Sequence, residues 1–131
     1  MPGTRRPVSR VGRRGERIAT RYLKRRGFRV MGRNVDLGVG EADLVCVSPD
    51  RDALVVVEVK TRTGSDGDRR PESQVGRAKQ RKLRQIAQVV RKVVKGKAAK
   101  LPVRIDVVAV ELRPWPRRSV VRHHKRAVSF R

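Results

Sequence analysis

Four charged side chains lie at alternate positions in two segments that are otherwise apolar. Glu41 precedes Asp43 by two residues, and Glu58 precedes Lys60 by the same interval. On a β-strand such pairs share a face. Carboxylates held close together repel one another unless a cation lies between them, and Mg²⁺ binds one or two carboxylates while keeping several waters. An ammonium beside them can stabilise charge developing on phosphate. The spacing therefore predicts a site for Mg²⁺-dependent cleavage of phosphodiester bonds.

A β-hairpin is the element that has to position these side chains. Residues 42–47 and 53–61 are rich in strand-forming residues, and the Ser-Pro-Asp-Arg-Asp sequence of 48–52 favours a tight reversal between them. Residues 54–57 are apolar on both faces, which is typical of an interior strand. Charged residues that end an interior strand are costly and tend to be functional, so we favour a site over a solvent-exposed edge strand.

The pairing register of this hairpin decides whether the charges meet. If Val47 pairs with Leu54, each acid gains a partner on the facing strand: Asp43 opposite Glu58, and Glu41 opposite Lys60. Facing residues lie about 5 Å apart, which lets one cation bridge two carboxylates. A slip by one residue would place the two sets on opposite faces of the sheet.

The remaining pattern predicts an α/β fold, with a mixed β-sheet flanked by helices. We expect a flexible basic arm over 1–8, a single domain over 9–124 and a basic tail over 125–131. The expected elements are a helix over 9–26 ended by Gly27, a short strand over 28–34, a turn over 37–40, a loop over 62–73, a helix over 74–95 ended by Gly96, a strand over 101–112 and an edge strand over 119–124.

The charge balance predicts a polyanionic partner. The 131 residues include 35 Lys and Arg against 12 Asp and Glu, for a formal net charge of +23. Nine of those acids fall within residues 34–72, and residues 73–105 hold none. Nucleic acid is the expected partner, most simply DNA, and an acidic membrane surface is the weaker alternative. The single Cys46 in an apolar strand, with no signal peptide and no membrane span, favours a cytoplasmic protein.

Two charged helix residues have competing interpretations. Glu16 lies on or beside the inward stripe of the first helix, where it could join the acidic cluster or simply favour the helix N-terminus. Lys79 lies on the inward stripe of the second helix, where it could reach a phosphate or the acids, although a lysine that extends to solvent is commoner.

Five further residues are given no catalytic role. Asp106 follows Arg104 at strand spacing, which predicts an ion pair at the sheet edge. His123 and His124 are adjacent on a strand, so they point in opposite directions and make a poor metal pair. Trp115 lies between two prolines, and we expect a packed turn rather than a base-stacking site.

The chain resembles the UPF0102 (YraN-like) family, which is similar to archaeal Holliday-junction resolvases of the PD-(D/E)XK nuclease superfamily. The residues that carry the resemblance are Gly15-Glu16, Ala19, Tyr22-Leu23, Gly27-Phe28, Asn34, the block 40–45, the block 57–62, Lys79, Leu83, Ala87 and the block 104–108. The resemblance implies a restriction-endonuclease-like core, with Asp43 and Glu58 as metal ligands, Lys60 as the catalytic lysine and Glu16 completing the acidic cluster. The Pro-Asp of the superfamily is Ala42-Asp43 here.

These observations lead to one main hypothesis and one alternative. The main hypothesis is an endonuclease that uses Mg²⁺, or Mn²⁺, on structured or duplex DNA; the alternative is a DNA- or RNA-binding protein of the same fold without turnover. The side chains expected to hold backbone phosphates are Arg13, Arg14, Arg17, Arg62, Lys79 and Lys82. A homodimer is an expectation that comes from the resolvase resemblance only.

Overall fold

Five strands form one mixed sheet with a long helix packed on each face in the computed structural model, which describes residues 9–64 and 74–130. In chain order the elements are α1 (Arg10–Arg25), β1 (Arg29–Asp36), β2 (Glu41–Val47), β3 (Leu54–Thr63), α2 (Arg77–Val93), a 3-10 turn (Gly96–Lys100), β4 (Val103–Leu112) and β5 (Val120–Val128). The strands are neighbours in sequence order, and only β3 and β4 are parallel. The predicted α/β class and mixed sheet are confirmed.

Both long helices form where the sequence predicts them, with different accuracy at their ends. Helix α1 begins after Ser9, whose side chain accepts a hydrogen bond from Gly12 N at 3.0 Å, and it ends before Gly27, which has a φ of +90°. Helix α2 is shorter than the predicted 74–95. It ends at Val93, and Gly96, with a φ of +79°, begins the following 3-10 turn instead of ending the helix.

Strand β3 is the centre of the core, as its apolar run predicts. Residues 54–57 are completely buried. Val55 and Val57 pack beneath Leu23 of α1, whereas the alternate residues of the strand pack beneath α2. Cys46 is also buried; desolvation, and then the negative charge of Asp106, raise the pKa of its thiol to about 12, consistent with a structural role.

The predicted hairpin register is confirmed, but the pairing is shorter than expected. Val47 pairs with Leu54, and the antiparallel ladder ends at Leu44 and Val57. Glu41 is therefore not paired with Lys60; it pairs with Asp36 of β1 instead.

The C-terminal part of the sheet also differs from the prediction. The edge strand expected over 119–124 extends to Val128, which is buried, so residues 125–128 belong to β5 rather than to a tail. Trp115 is 92% exposed, and the expectation of a packed turn is wrong.

The predicted loop over 62–73 and the predicted arm over 1–8 lie largely outside the described residues. Arg62 and Thr63, expected in a loop, are the last paired residues of β3. The rest of that loop from residue 65 onward, and the basic arm over 1–8, lie outside the described residues. Within the part of the chain that is described, no helix is long and apolar enough to cross a membrane.

Candidate active site

The candidate site lies where β2 and β3 separate. Beyond Leu44 and Val57 the two strands no longer exchange backbone hydrogen bonds. Val59 N instead donates to Asp43 Oδ2 at 2.8 Å, so a carboxylate oxygen accepts the bond from β3 at this point. The carboxylate of Asp43 is thereby fixed beside the side chain that precedes Val59, which is Glu58.

The electrostatics of Asp43 show that other acids surround it. Burial is the largest cause that raises its pKa, followed by the charge of Glu58; the Val59 N–H opposes the rise, and the charge of Glu16 and a side-chain hydrogen bond with Glu58 add to it. The net effect raises the pKa of Asp43 from 3.8 to about 8. Burial and the neighbouring acids therefore favour the neutral form of Asp43, and a cation at this position would favour the ionised form.

Glu16 reaches this cluster because α1 approaches β3 closely at Gly15. A Cβ added to Gly15 would overlap Thr61 Oγ1 and lie 2.8 Å from two Thr61 carbons. No larger residue fits there without a shift of the helix or the strand. The sequence resemblance includes Gly15-Glu16, and the contact gives the glycine of that pair a physical reason.

Two cavities flank the acidic cluster. One of about 400 Å³ lies between α1 and the first two strands, and the other, of about 490 Å³, lies between β3 and the start of α2. The first is lined by Arg13, Glu16, Arg17, Thr20, Arg33, Asn34, Asp43 and Leu44. Glu58 and Lys60 line the second cavity. The predicted catalytic residues are therefore divided between the two cavities, with Glu16 and Asp43 in the first.

Lys79 of α2 contacts the acidic cluster directly. Its Nζ lies 3.1 Å from Glu58 Oε2, although half of its side chain is exposed to solvent. Of the possibilities that the sequence left open for Lys79, namely a phosphate, the acids or extension to solvent, the contact with the acids is observed. Lys60 forms no ion pair or hydrogen bond with any described residue, which leaves its ammonium available to a ligand in the second cavity.

The other predicted phosphate-binding residues are scattered. Arg13 and Arg17 line the cavity beside Asp43, whereas Arg14 is exposed and does not line it. Lys82 Nζ donates to Val39 O at 2.8 Å, which holds α2 against the turn before β2. Arg62 is partly buried and pairs with Glu111 in the β3–β4 ladder.

The donor set fits a weakly coordinated hard cation. Among the described residues, no group of three or more His, Cys, Asp or Glu side chains is close enough to form a complete cage. Mg²⁺ does not need such a cage, because one or two carboxylates with several waters suffice. Asp43 and Glu58 supply two carboxylates whose mutual repulsion a divalent cation would relieve.

Sequence reasoning missed Asn34 and Arg33 as lining residues. Asn34 has a φ of +50°, and its Oδ1 is buried without a hydrogen-bond partner among the residues described. A left-handed conformation is unusual outside glycine and is commonest at Asn. The resemblance included Asn34, and that was the available signal.

A second polar cluster lies away from this site, in the core beneath α1. Asp106 is completely buried; it bonds Arg104 Nε at 3.2 Å, His123 Nε2 at 2.8 Å and Arg126 N at 3.0 Å. The predicted ion pair with Arg104 is confirmed, but its predicted place is wrong, because β4 is an interior strand rather than the sheet edge.

Comparison with known proteins places most of this chain in a described family. Residues 15–110 match the model of a family described as "Uncharacterised protein family UPF0102". A UPF0102 protein of Pelotomaculum thermopropionicum is 45% identical over 100 residues, which are 76% of this chain and 79% of that protein. One from Syntrophotalea carbinolica is 41% identical over 104 residues, covering 79% and 80%. One from Clavibacter michiganensis is 42% identical over 107 residues, covering 82% and 84%.

Proposed function

The chain belongs to the UPF0102 family, and we propose that it is a Mg²⁺- or Mn²⁺-dependent endonuclease that acts on structured or duplex DNA with a restriction-endonuclease-like core. The observation that carries the proposal is the hydrogen bond from Val59 N to Asp43 Oδ2, which brings Asp43 beside Glu58 at the point where two core strands separate. In a chain of net charge +23, an acidic cluster flanked by arginines suits a cation held against a phosphate.

The chemistry divides among named side chains. Asp43 and Glu58 would hold the cation, with Glu16 as a further acid nearby. Bound Mg²⁺ supplies a water of lowered pKa and neutralises charge on the phosphate. The Lys60 ammonium stabilises negative charge that develops during cleavage, and Arg13 and Arg17 bind backbone phosphates on the α1 side.

One observation favours a second candidate, a nucleic-acid-binding protein of the same fold that does not cleave. Lys79 already neutralises Glu58 at 3.1 Å, as a cation would. If that ion pair persists in the presence of nucleic acid and Mg²⁺, Glu58 is occupied and turnover fails.

The two candidates separate in a cleavage and binding assay on branched and linear DNA, with Mg²⁺ and with Mn²⁺. We expect wild type to cleave, and Asp43→Ala and Lys60→Ala each to lose about 10²-fold or more of the rate while still binding DNA. The control variants Asp50→Ala and Lys24→Ala remove one charge of each sign at exposed positions outside both cavities, and they should keep full activity. Wild type that binds DNA but cuts with neither metal would establish the binding protein.

A further inference from the structure

The turn between β4 and β5 presents an aromatic side chain to solvent. We define the tip as residues 113–118, with Trp115 at its apex. The chain has one Trp, one Tyr and two Phe. Tyr22 and Phe28 pack against the ring of His123, and Phe130 packs against the core beneath α2. The aromatic residue with the largest apolar surface is therefore the one that is 92% exposed.

The backbone of the tip is constrained. Arg117 N donates to Pro114 O at 3.0 Å, which closes the turn, and the rings of Pro114 and Pro116 fix φ on either side of Trp115. At its base, Arg113 pairs with Glu111 at 3.0 Å. A side chain presented from such a turn loses less backbone freedom on binding than one on a flexible loop.

The charge around Trp115 points to the chemistry of its partner. Arg117 and Arg118 are exposed, and neither side chain has a hydrogen bond or ion pair with a described residue. The tip contains no acid. Two unpaired guanidinium groups beside an indole match a base and its flanking phosphates, because indole stacks on any base and arginine binds phosphate.

The parallel register of β3 and β4 relates the tip to the candidate site. Glu58 pairs with Val107, and the ladder continues to the paired ends of both strands at Thr63 and Leu112. Trp115 is eight residues after Val107, so at about 3.3 Å per residue it lies at most about 26 Å from the level of Glu58. That span corresponds to about seven or eight base pairs of duplex.

From the exposure of Trp115, the two arginines beside it and the distance to Glu58, we propose that Trp115 stacks on an unpaired or frayed base of bound DNA. Arg117 and Arg118 bind the phosphates beside that base. The favoured ligand is DNA with a single-stranded gap, branch or end, held with its cleavable part toward Glu58. This inference rests on the proposed nucleic-acid partner, but on no step of hydrolysis.

The intrinsic fluorescence of Trp115 tests the inference directly, because it is the sole tryptophan. The full chain is titrated in EDTA with a single-stranded oligonucleotide, the blunt duplex of the same sequence, and that duplex carrying a gap, while the anisotropy of a labelled strand reports binding. We expect the single strand and the gapped duplex to quench emission strongly and the blunt duplex much less. Trp115→Ala should weaken binding to the gapped duplex about five- to one-hundred-fold, and Trp115→Phe should restore part of it.

Matched charge variants separate the tip from general electrostatics. Arg117→Ala/Arg118→Ala should reduce affinity for the gapped duplex more than Lys24→Ala/Arg25→Ala, which removes the same charge from the last turn of α1. Binding with unchanged emission, or equal quenching by blunt duplex, overturns the inference. A blue shift of the Trp115 emission without DNA, together with a dimer in sedimentation, would show that Trp115 binds a second copy of the chain. That result also overturns the inference. If the protein cleaves DNA with Mg²⁺ but DNA does not quench Trp115, only the stacking is refuted. If DNA quenches Trp115 but the protein does not cleave, only the proposed hydrolysis is refuted.

Discussion

Two aspartates of this chain have carboxylates in opposite surroundings. Asp43 faces Glu58 and Glu16, and burial together with their charges raises its pKa. Asp106 is completely buried, and burial opposes its ionisation. Hydrogen bonds from His123 and Arg126 N, and then the charge of Arg104, nevertheless lower its pKa below 3.8. The groups that face Asp106 stabilise its charge, whereas the acids that face Asp43 destabilise its charge. Because of this difference, we assign a structural role to Asp106 and propose a metal-ligand role for Asp43.

Asp43→Asn should stabilise the metal-free protein at neutral pH. Because the pKa of Asp43 is about 8 in the folded chain and 3.8 ordinarily, the unfolded chain ionises first, and stability is lost as pH rises from about 4 to about 8. Asparagine keeps an acceptor for Val59 N and carries no charge. We expect a gain in the free energy of unfolding of about 2 kcal/mol at pH 8 and little gain at pH 4, by urea denaturation in EDTA.

A control variant for this measurement is Asp50→Asn, in the exposed turn between β2 and β3, which should leave the pH profile unchanged. Addition of Mg²⁺ should stabilise wild type more than Asp43→Asn, because the cation relieves repulsion that the variant no longer has. A wild-type profile that is flat between pH 4 and pH 8 would contradict the effect of burial and of the nearby charges of Glu58 and Glu16 on Asp43.

Asp106→Ala should strongly destabilise the protein. It leaves Arg104 without its carboxylate and Arg126 N without its acceptor, at a cost of about 3–5 kcal/mol in the free energy of unfolding. Because the pKa of Asp106 is lowered in the folded chain, its stabilising contribution is present above about 4 and is lost as pH falls further through the folded pKa. Thermal denaturation of wild type and variant at neutral and acid pH measures both effects.

Glu111→Ala provides the comparison for Asp106, since Glu111 is also an acid of β4 that is bonded to arginines. Its pairs with Arg113 and Arg122, at 3.0 and 4.0 Å, are partly exposed, so the loss should be about 0–1 kcal/mol. Equal costs for the two variants would show that the burial of Asp106 does not determine its contribution.

At the scale of elements, the packing of α1 on β3 brings Glu16 to the site. Gly15→Ala places a Cβ against Thr61, so we expect a loss of about 1–3 kcal/mol in stability together with weaker cleavage. Thr61→Ala in the same chain removes two of the three atoms in the overlap and should restore part of the loss, as a double-mutant cycle by urea denaturation would measure.

Gly64→Ala is the matched control for this contact. No atom of the described residues lies within 4 Å of a Cβ added there, and its φ is not in the left-handed region, so the change should have little effect. If Gly15→Ala were as well tolerated as Gly64→Ala, close packing of α1 on β3 could not be what positions Glu16.

The hairpin shows how far the sequence alone predicts the elements. The apolar run of 54–57 and the turn residues before it predicted an interior strand, an antiparallel pairing and its register, because burial on both faces leaves little choice. The end of that pairing was not predictable, since it depends on the hydrogen bond that Val59 N donates to the Asp43 carboxylate. The same holds for Lys79, whose contact with Glu58 depends on how α2 packs on β3.

Isolated polar and aromatic residues were predicted less well than periodic apolar ones. Asp106 and Arg104 were correctly paired from their spacing, but the sheet order that puts them in the interior comes from long-range contacts. Trp115 between two prolines suggested packing, because tryptophan usually buries its surface. None of the described helices and strands covers the tip, and its exposure follows from the topology of β4 and β5 rather than from the local sequence.

At the scale of the whole molecule, the proposed nucleic-acid interface is a matter of where the positive charge lies. Arg13 and Arg17 line the cavity beside Asp43, whereas Lys24 and Arg25 occupy the last turn of the same helix, away from it. All four positions contribute equally to the net charge. Only Arg13 and Arg17 should displace counterions from DNA phosphates if DNA binds over the acidic cluster.

The salt dependence of duplex binding distinguishes the two pairs. On a plot of the logarithm of affinity against the logarithm of salt concentration, Arg13→Ala/Arg17→Ala should reduce the slope by about 1.8, because each phosphate contact contributes about 0.9. Lys24→Ala/Arg25→Ala, with the same loss of charge, should reduce affinity slightly and leave the slope unchanged. Fluorescence anisotropy of a labelled duplex in EDTA provides the measurement without cleavage. If both pairs changed the slope equally, DNA would be responding to net charge alone, and the acidic cluster would have no special place in the complex.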